Sequence, residues 1–130
     1  MKYDVIIVGG GAAGSVLAGR LAENPKTSIL LLEAGPDYPS TDQLPDEIKF
    51  GNTSYAESPE SEHNWALRGT LTEEQGETHV AQGQVIGGGS SINGQAMQRG
   101  LPDDFATWAA IGNDACSYDK VLPFCLNSDT

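Results

Sequence analysis

Val5-Ile6-Ile7-Val8 is an unbroken run of β-branched apolar residues, the pattern of a parallel strand buried on both faces. Gly9, Gly11 and Gly14 follow at once, and beyond them Val16, Leu17, Arg20 and Leu21 recur at i, i+1, i+4 and i+5, a helical stripe. Asn24-Pro25 closes that helix, because the residue before a proline avoids the α region. Ile29 to Leu32 make a second apolar strand. Strand, glycine turn, helix and strand in this order predict a β-α-β unit over residues 1–35 and an α/β fold class with a Rossmann-like, dinucleotide-binding start.

From Pro36 to about His79 no period of 2 or 3.6 persists, and Pro36, Pro39, Pro45 and Pro59 punctuate a polar stretch. It reads either as a linker or disordered segment, or as a long ordered excursion lying over a ligand, since loops of this length within a compact domain are usually functional. Trp65, a large apolar anchor in His63-Asn64-Trp65-Ala66-Leu67, favours order. The acids of Glu57 to Glu62 read as a solvated face. Val80 to Ile86 resumes an extended pattern and runs into a second glycine block, Gly87-Gly88-Gly89-Ser90-Ser91-Ile92-Asn93-Gly94. Leu101-Pro102-Asp103-Asp104 then opens a helix, with proline early and acids in the first turn. Phe105, Trp108, Ala109 and Gly112 share one face of it, most simply core, and Gly112 is placed to end it. Pro123 interrupts any helix through Tyr118 to Leu126, so two short pieces are expected there. Residues 36–79 and 80–130 thus follow the β-α-β unit as parts of one domain.

Gly9-x-Gly11-x-x-Gly14 fits the dinucleotide fingerprint: the first glycine makes the tight turn, the second clears a path for the pyrophosphate, and the third lets helix and strand pack closely. Ala12 and Ala13 are small too, so the turn presents backbone, and the helix N-terminus aims free N–H groups at an anion. Glu33 ends the second strand, 19 residues after Gly14. A carboxylate there accepts bonds from both hydroxyls of an adenosine ribose and repels a 2′-phosphate, which argues against an NADP-type ligand. The second block alone would read equally as a flexible turn, and Asn93-Gly94 as a hairpin turn. Two glycine cradles in one short chain suggest a long ligand held at two places, and flavin adenine dinucleotide is longer than a nicotinamide cofactor. Its second cradle would set N–H dipoles near a flavin ring.

The 130 residues carry seven basic and eighteen acidic side chains, a net charge of −11. That disfavours nucleic acid or an anionic membrane surface as partner, while a backbone cradle for phosphate survives it. No apolar run is long enough to span a bilayer, and Asp4 and the glycines set the first strand apart from a signal peptide. Cys116 and Cys125 are too few and too widely spaced for a zinc knuckle, so free thiols and a cytoplasmic location are expected. His63 and His79 stand in polar surroundings without a partner acid at useful spacing and read as surface residues. Only two parallel strands are evident, where a Rossmann-type half needs about three; the sheet looks unfinished and the chain reads as an N-terminal piece.

Asp4 to Gly35, the Gly83-to-Asn93 block, and Arg99-Gly100, Asp103 and Thr107-Trp108 together resemble the N-terminal part of the glucose–methanol–choline oxidoreductases, and most of all their choline dehydrogenase-like branch. Ser117-Tyr118-Asp119-x-Val121-Leu122-Pro123 is similar to the family's continuation. The resemblance spans nearly the whole chain. It implies an incomplete Rossmann-like FAD-binding fold belonging to a larger two-domain flavoprotein, with FAD held at Gly9, Gly11, Ala13, Gly14 and Glu33, and at Val85, Gly88 and the Asn93-Gly94-Gln95-Ala96 backbone. It implies oxidation of a small-molecule alcohol to a carbonyl, the hydroxyl proton going to a base and the carbon-bound hydrogen passing as hydride to FAD. The family's base and its partner, a His with a second His or Asn, lie near the end of a much longer chain, so these 130 residues are expected to be inactive alone. Gln84 departs from the family's usual Lys or Arg, and Cys116 and Cys125 from its aromatic residues. Ile92 stands where some members attach FAD through a histidine, which implies non-covalent binding here. The rival readings are a non-catalytic chain that at most binds nucleotide, and an NAD-dependent Rossmann protein, the latter disfavoured by the second glycine block. The alcohol, the electron acceptor and the oligomeric state are not identified by the sequence.

Overall fold

β1 (Val5–Val8) and β2 (Ile29–Leu32) pair in parallel with Val5 opposite Ile29 and Val8 opposite Leu32, joined by α1 (Ala12–Ala22). The β-α-β unit is therefore as the alternation of strand and helix periods predicts. The computed structural model describes residues 1–51 and 53–128, with no account of the Ser128 side chain. Burial on both faces of β1 is corrected: Ile7 is 6% exposed, but Ile6 is 59% and Val8 83% exposed. Successive strand side chains point to opposite faces, so Ile7 lies under α1, near Gly14, while Ile6 and Val8 face away from it. Among the described residues β2 is the only strand paired with β1. Half of the α1 stripe is likewise uncovered, with Val16 and Leu17 exposed.

The stretch after Pro36 is ordered, which decides against a linker. It holds a 3₁₀ turn at Thr41–Gln43, the short α2 (Asp46–Lys49), a second 3₁₀ turn at Tyr55–Glu57, and an antiparallel hairpin of β3 (Leu67–Thr70) and β4 (Glu77–Val80). This excursion supplies half of the core. Ile48 and Ala56 from it pack with Val85 and Ile92 from the second glycine block, and Tyr38 and Leu44 close over them. Burying side chains of this size contributes roughly 1.5–3 kcal/mol apiece for the larger ones, a reason for the segment to stay folded despite lacking periodicity. After β4 the chain runs alongside residues 63–65, with Trp65 N–H donating to the Gln82 carbonyl (2.9 Å) and Gln84 N–H to the His63 carbonyl (2.7 Å). It then reaches α3 (Gly89–Ile92).

Met1–Gln95 form one compact unit and Ala96 onward a second. In the second unit α4 spans Pro102–Ala110, and the Asp104 carboxylate accepts the Leu101 N–H (3.0 Å) at its start. Gly112, at φ +102°, follows its end. The Phe105 ring packs edge-on to Trp108 and against Tyr118, although Trp108 stays 53% exposed, so the expected core face is only partly covered. α5 runs unbroken over Tyr118–Ser128 with Pro123 inside it, which corrects the two short pieces. A proline removes one hydrogen bond and crowds the preceding turn at a cost of about 3 kcal/mol, but bonds on either side, beginning with Lys120 and Val121 N–H to the Ser117 carbonyl, carry the helix past it. Cys116 and Cys125 are free thiols.

The alternation in β1 gives a direct test. Ile7→Ala is expected to destabilise by about 2–4 kcal/mol in urea melts, whereas Ile6→Ala costs less than about 1 kcal/mol.

Candidate functional site

Gly10 is the junction of the site. Its N–H donates to Glu33 Oε2 (2.6 Å), and its carbonyl accepts from Ser15 Oγ (2.7 Å) and from Gly87 N–H (2.7 Å). One buried residue thus ties the end of β2, the first turn of α1 and the second glycine block together. Gly11 and Gly87 form a parallel bridge beside it. The two glycine turns touch backbone to backbone. A Cβ on Gly88, which sits at φ +56°, would stand 2.9 Å from the Gly11 Cα, closer than carbon atoms pack. A Cβ on Gly14 would overlap the Gly9 carbonyl oxygen, so the third glycine of the fingerprint has the close-packing role assigned to it.

These turns open onto a cleft of about 590 Å³ lined by Gly9, Gly11, Gly88 and Gly89, by Val8, Leu32, Glu33 and Ala34 at the strand ends, and by Trp65, Gln82 and Gly83. Five of these lining residues are glycines, and no lysine or arginine is among them. Gly11 is the N-cap of α1 and makes no side-chain capping bond. The first-turn N–H groups, which an α-helix cannot satisfy internally, therefore start at the cleft with the positive end of the helix dipole. At the opposite edge Glu33 is fixed in place. Its Oε1 accepts the Ala34 (2.9 Å) and Gly35 (3.0 Å) N–H groups while Oε2 takes that of Gly10. The Gly35 bond chiefly holds this carboxyl below the ordinary glutamate range; burial works against it, and the Gly10 and Ala34 bonds add to the lowering.

Of the residues singled out in the sequence, Gly9, Gly11, Glu33 and Gly88 meet at this cleft. Ala13 and Gly14 lie in the first turn of α1. Val85 does not line it: its side chain, 1% exposed, belongs to the core. Asn93 caps the end of α3 and accepts the Gln95 N–H (2.8 Å), Gly94 lies between them, and neither lines the cleft. The Gln95 side chain is engaged elsewhere, accepting the Gly51 N–H (2.8 Å) and donating to the Ile48 carbonyl (2.5 Å). Ala96 opens the second unit. Ile92 is buried in the core. Val8, Leu32, Ala34, Gly83 and Gly89 also line the cleft and lie within the stretches the motifs had marked, whereas Trp65 and Gln82 lie outside them, and the hint there was an isolated tryptophan in a polar stretch.

The surface placement of His63 is corrected. It is 1% exposed, with Nδ1 2.6 Å from Glu47 Oε1 and Nε2 2.6 Å from the Tyr38 hydroxyl. Ser61 Oγ also donates to Glu47 Oε1 (3.1 Å). Burial, then the Glu62 and Glu47 carboxylates, raises the Tyr38 phenol above its ordinary range. His79 is half-buried rather than on the surface: its Nε2 meets the Glu57 carbonyl (2.9 Å), and its buried Nδ1 has no hydrogen-bond partner among the described residues. Neither histidine lines the cleft. No group of three or more metal-ligating side chains and no helix long and apolar enough to cross a membrane is found among the described residues.

Residues 3–129 match the family model described as GMC oxidoreductase. The chain is 39% identical over 131 residues to a glucose dehydrogenase [FAD, quinone] of Drosophila pseudoobscura pseudoobscura, with 98% of this chain and 20% of that protein covered. It is 40% identical over 137 residues to an oxygen-dependent choline dehydrogenase of Staphylococcus xylosus, covering 99% of this chain and 23% of the relative. Among solved structures it is similar to pyridoxine 4-oxidase from Mesorbium loti, with a TM-score of 0.76, 35% identity, and 95% of this chain and 24% of that one covered. The chain thus spans about a fifth to a quarter of the length of these relatives.

The depressed Glu33 carboxyl makes a signed prediction. A carboxylate whose folded pKa is lowered adds stability above its unfolded pKa, lost as pH falls through the folded value. Glu33→Gln is therefore expected to be less stable than the parent at pH 7, with the gap closing as pH drops below the ordinary value of 4.5, in melts recorded from pH 7 to about 3.

Proposed function

From the premise that this chain belongs to the GMC oxidoreductase family, we propose that its cleft holds FAD non-covalently and that the whole protein oxidises a small-molecule alcohol. The observation that carries this reading is the meeting of Glu33 and glycines of both turns at one cleft. The donor set suits a dinucleotide. Gly9 and Gly11 leave room for backbone approach to a pyrophosphate, α1 starts there with its unpaired N–H groups, and Glu33 stands where ribose hydroxyls would donate to it. Three N–H groups already occupy that carboxylate, out of roughly four acceptor positions. It is held rigid, and about one acceptor position is left, enough for a single ribose hydroxyl.

Bound flavin would supply a two-electron acceptor for the hydride leaving an alcohol carbon. The contribution of these residues is to bind and orient it. Non-covalent attachment is supported by Ile92 lying in the core and by both histidines lying outside the cleft. Val85 and the Asn93–Ala96 backbone remain our candidates for the flavin end, through main-chain groups. The names of the relatives, which specify glucose, choline and pyridoxine, support an alcohol as the substrate class. Net charge of −11 supports the exclusion of nucleic acid, and two free thiols fit a reducing, cytoplasmic compartment.

The test is gel filtration after mixing the purified chain with FAD. Flavin absorption bands are expected to travel with the protein and to be displaced by ADP but not by 2′-phosphorylated ADP. Gly11→Ala places its Cβ 3.8 Å from the nearest atom, the Gly88 Cα, in ordinary contact. It should therefore leave the melt unchanged while weakening FAD roughly tenfold, about 1.4 kcal/mol. A folded chain that binds a nicotinamide dinucleotide in preference to FAD would overturn the reading.

A further inference from the structure

We propose that Asn64 is a positioning residue for the cofactor cleft, its side-chain amide locking the wall formed by Trp65 and Gln82; this rests on the reading of the cleft as the FAD site. Asn64 is 5% exposed and does not line the cleft. Its carbonyl oxygen bonds the backbone beside the two lining residues Trp65 and Gln82, and its amide nitrogen is turned the other way. Oδ1 accepts the N–H of Ala66 (3.1 Å) and of Gln82 (3.2 Å), one bond on each side of the wall. Nδ2 donates to the Glu57 carbonyl (2.7 Å) and stands 3.2 Å from His79 Nε2. Its own backbone forms the antiparallel bridge with Gly83, and the Trp65 N–H reaches the Gln82 carbonyl.

The conformation so held is one the chain would not choose unaided. Ala66 sits at φ +50°, in the left-handed region that a residue with a Cβ disfavours by about 1–2 kcal/mol. The chain keeps one antiparallel register through this residue, with Asn64 opposite Gly83 before it and Leu67 opposite Val80 after it, and the indole of Trp65, 46% exposed, lines the cleft just ahead of it. The Ala66 N–H bond to Oδ1 offsets that cost. A buried amide satisfied on both its acceptor and donor sides fixes a single arrangement, because losing it strands several backbone groups at once. Neighbouring His63, bonded to Glu47 and Tyr38, anchors the same segment from its other side.

The experiment uses the full chain carrying Trp108→Phe, so that Trp65 is the single fluorescent tryptophan. Acrylamide quenching of Trp65 without ligand and FAD affinity by fluorescence titration are read for Asn64→Ala and for Asn64→Ala combined with Ala66→Gly. Asn64→Ala is expected to raise the quenching constant about twofold and weaken FAD about tenfold, the loss of one to two buried hydrogen bonds. Adding Ala66→Gly, which lets residue 66 hold its left-handed backbone without the bond, is expected to recover at least about half of both changes. An Asn64→Ala chain that melts cooperatively with Trp65 quenching unchanged overturns the proposal. So does the double variant if it quenches as fully as Asn64→Ala or, where Asn64→Ala does not fold, if adding Ala66→Gly fails to restore a cooperative melt. Failure of the parent chain to bind FAD would instead strike at the functional reading, since the quenching arm needs no ligand.

Discussion

The cleft in the larger unit hangs on the backbone of Gly10. Its N–H serves Glu33 and its carbonyl serves Ser15 and Gly87, so a strand end, a helix start and a turn far along the chain converge on one residue. A side chain at this place would meet the Ile86 Cδ1 at 2.7 Å and Glu33 Oε2 at 3.3 Å. The bonds are short, and leaving any of these groups unpaired costs about 1–3 kcal/mol where they are buried. The geometry of the cleft is therefore a by-product of satisfying one residue's two backbone groups. The carboxylate that would meet a ribose and the turn that would meet a pyrophosphate are oriented by the same residue.

The excursion between β2 and the second glycine block illustrates how an aperiodic segment becomes rigid. Its order comes from side chains that imitate secondary structure: His63 spans Tyr38 and Glu47, Asn64 spans Glu57, Ala66 and Gln82, and Gln95 spans Ile48 and Gly51. Each joins stretches with no ladder of their own, and the apolar set of Ile48, Ala56, Val85 and Ile92 lies among them. Polar satisfaction and apolar burial reinforce one another, because a buried amide or imidazole is tolerable only when fully bonded.

What could be read from the sequence was local. The β-α-β unit announces itself because strand period, glycine spacing and helix period are all properties of neighbouring residues, and Glu33 follows from its distance to Gly14. The resemblance extended that reading to the second block. His63 escaped because its partners Glu47 and Tyr38 lie 16 and 25 positions away on segments without a period. Trp65 was visible as an anchor, but its place in the cleft wall goes with the left-handed backbone at Ala66, which no propensity favours. Pro123 misled in the opposite direction: a local rule that breaks isolated helices was overridden by the hydrogen bonds flanking it. The alternation of Ile6, Ile7 and Val8 between faces could be read, whereas the burial of each face depends on what covers it.

The cleft without a cation has a kinetic side. These 130 residues carry a net charge of −11, and the cleft they line offers helix dipole and N–H groups with no lysine or arginine among its lining residues. A diphosphate-bearing ligand approaching this surface would be repelled at long range and attracted only on contact, since long-range fields act on encounter while short-range dipoles act on escape. Added salt screens the first, with a Debye length of about 8 Å at physiological ionic strength, and barely touches the second. Uptake of a dinucleotide by these residues would therefore quicken as ionic strength rises, the reverse of the salt dependence of a lysine-lined phosphate pocket.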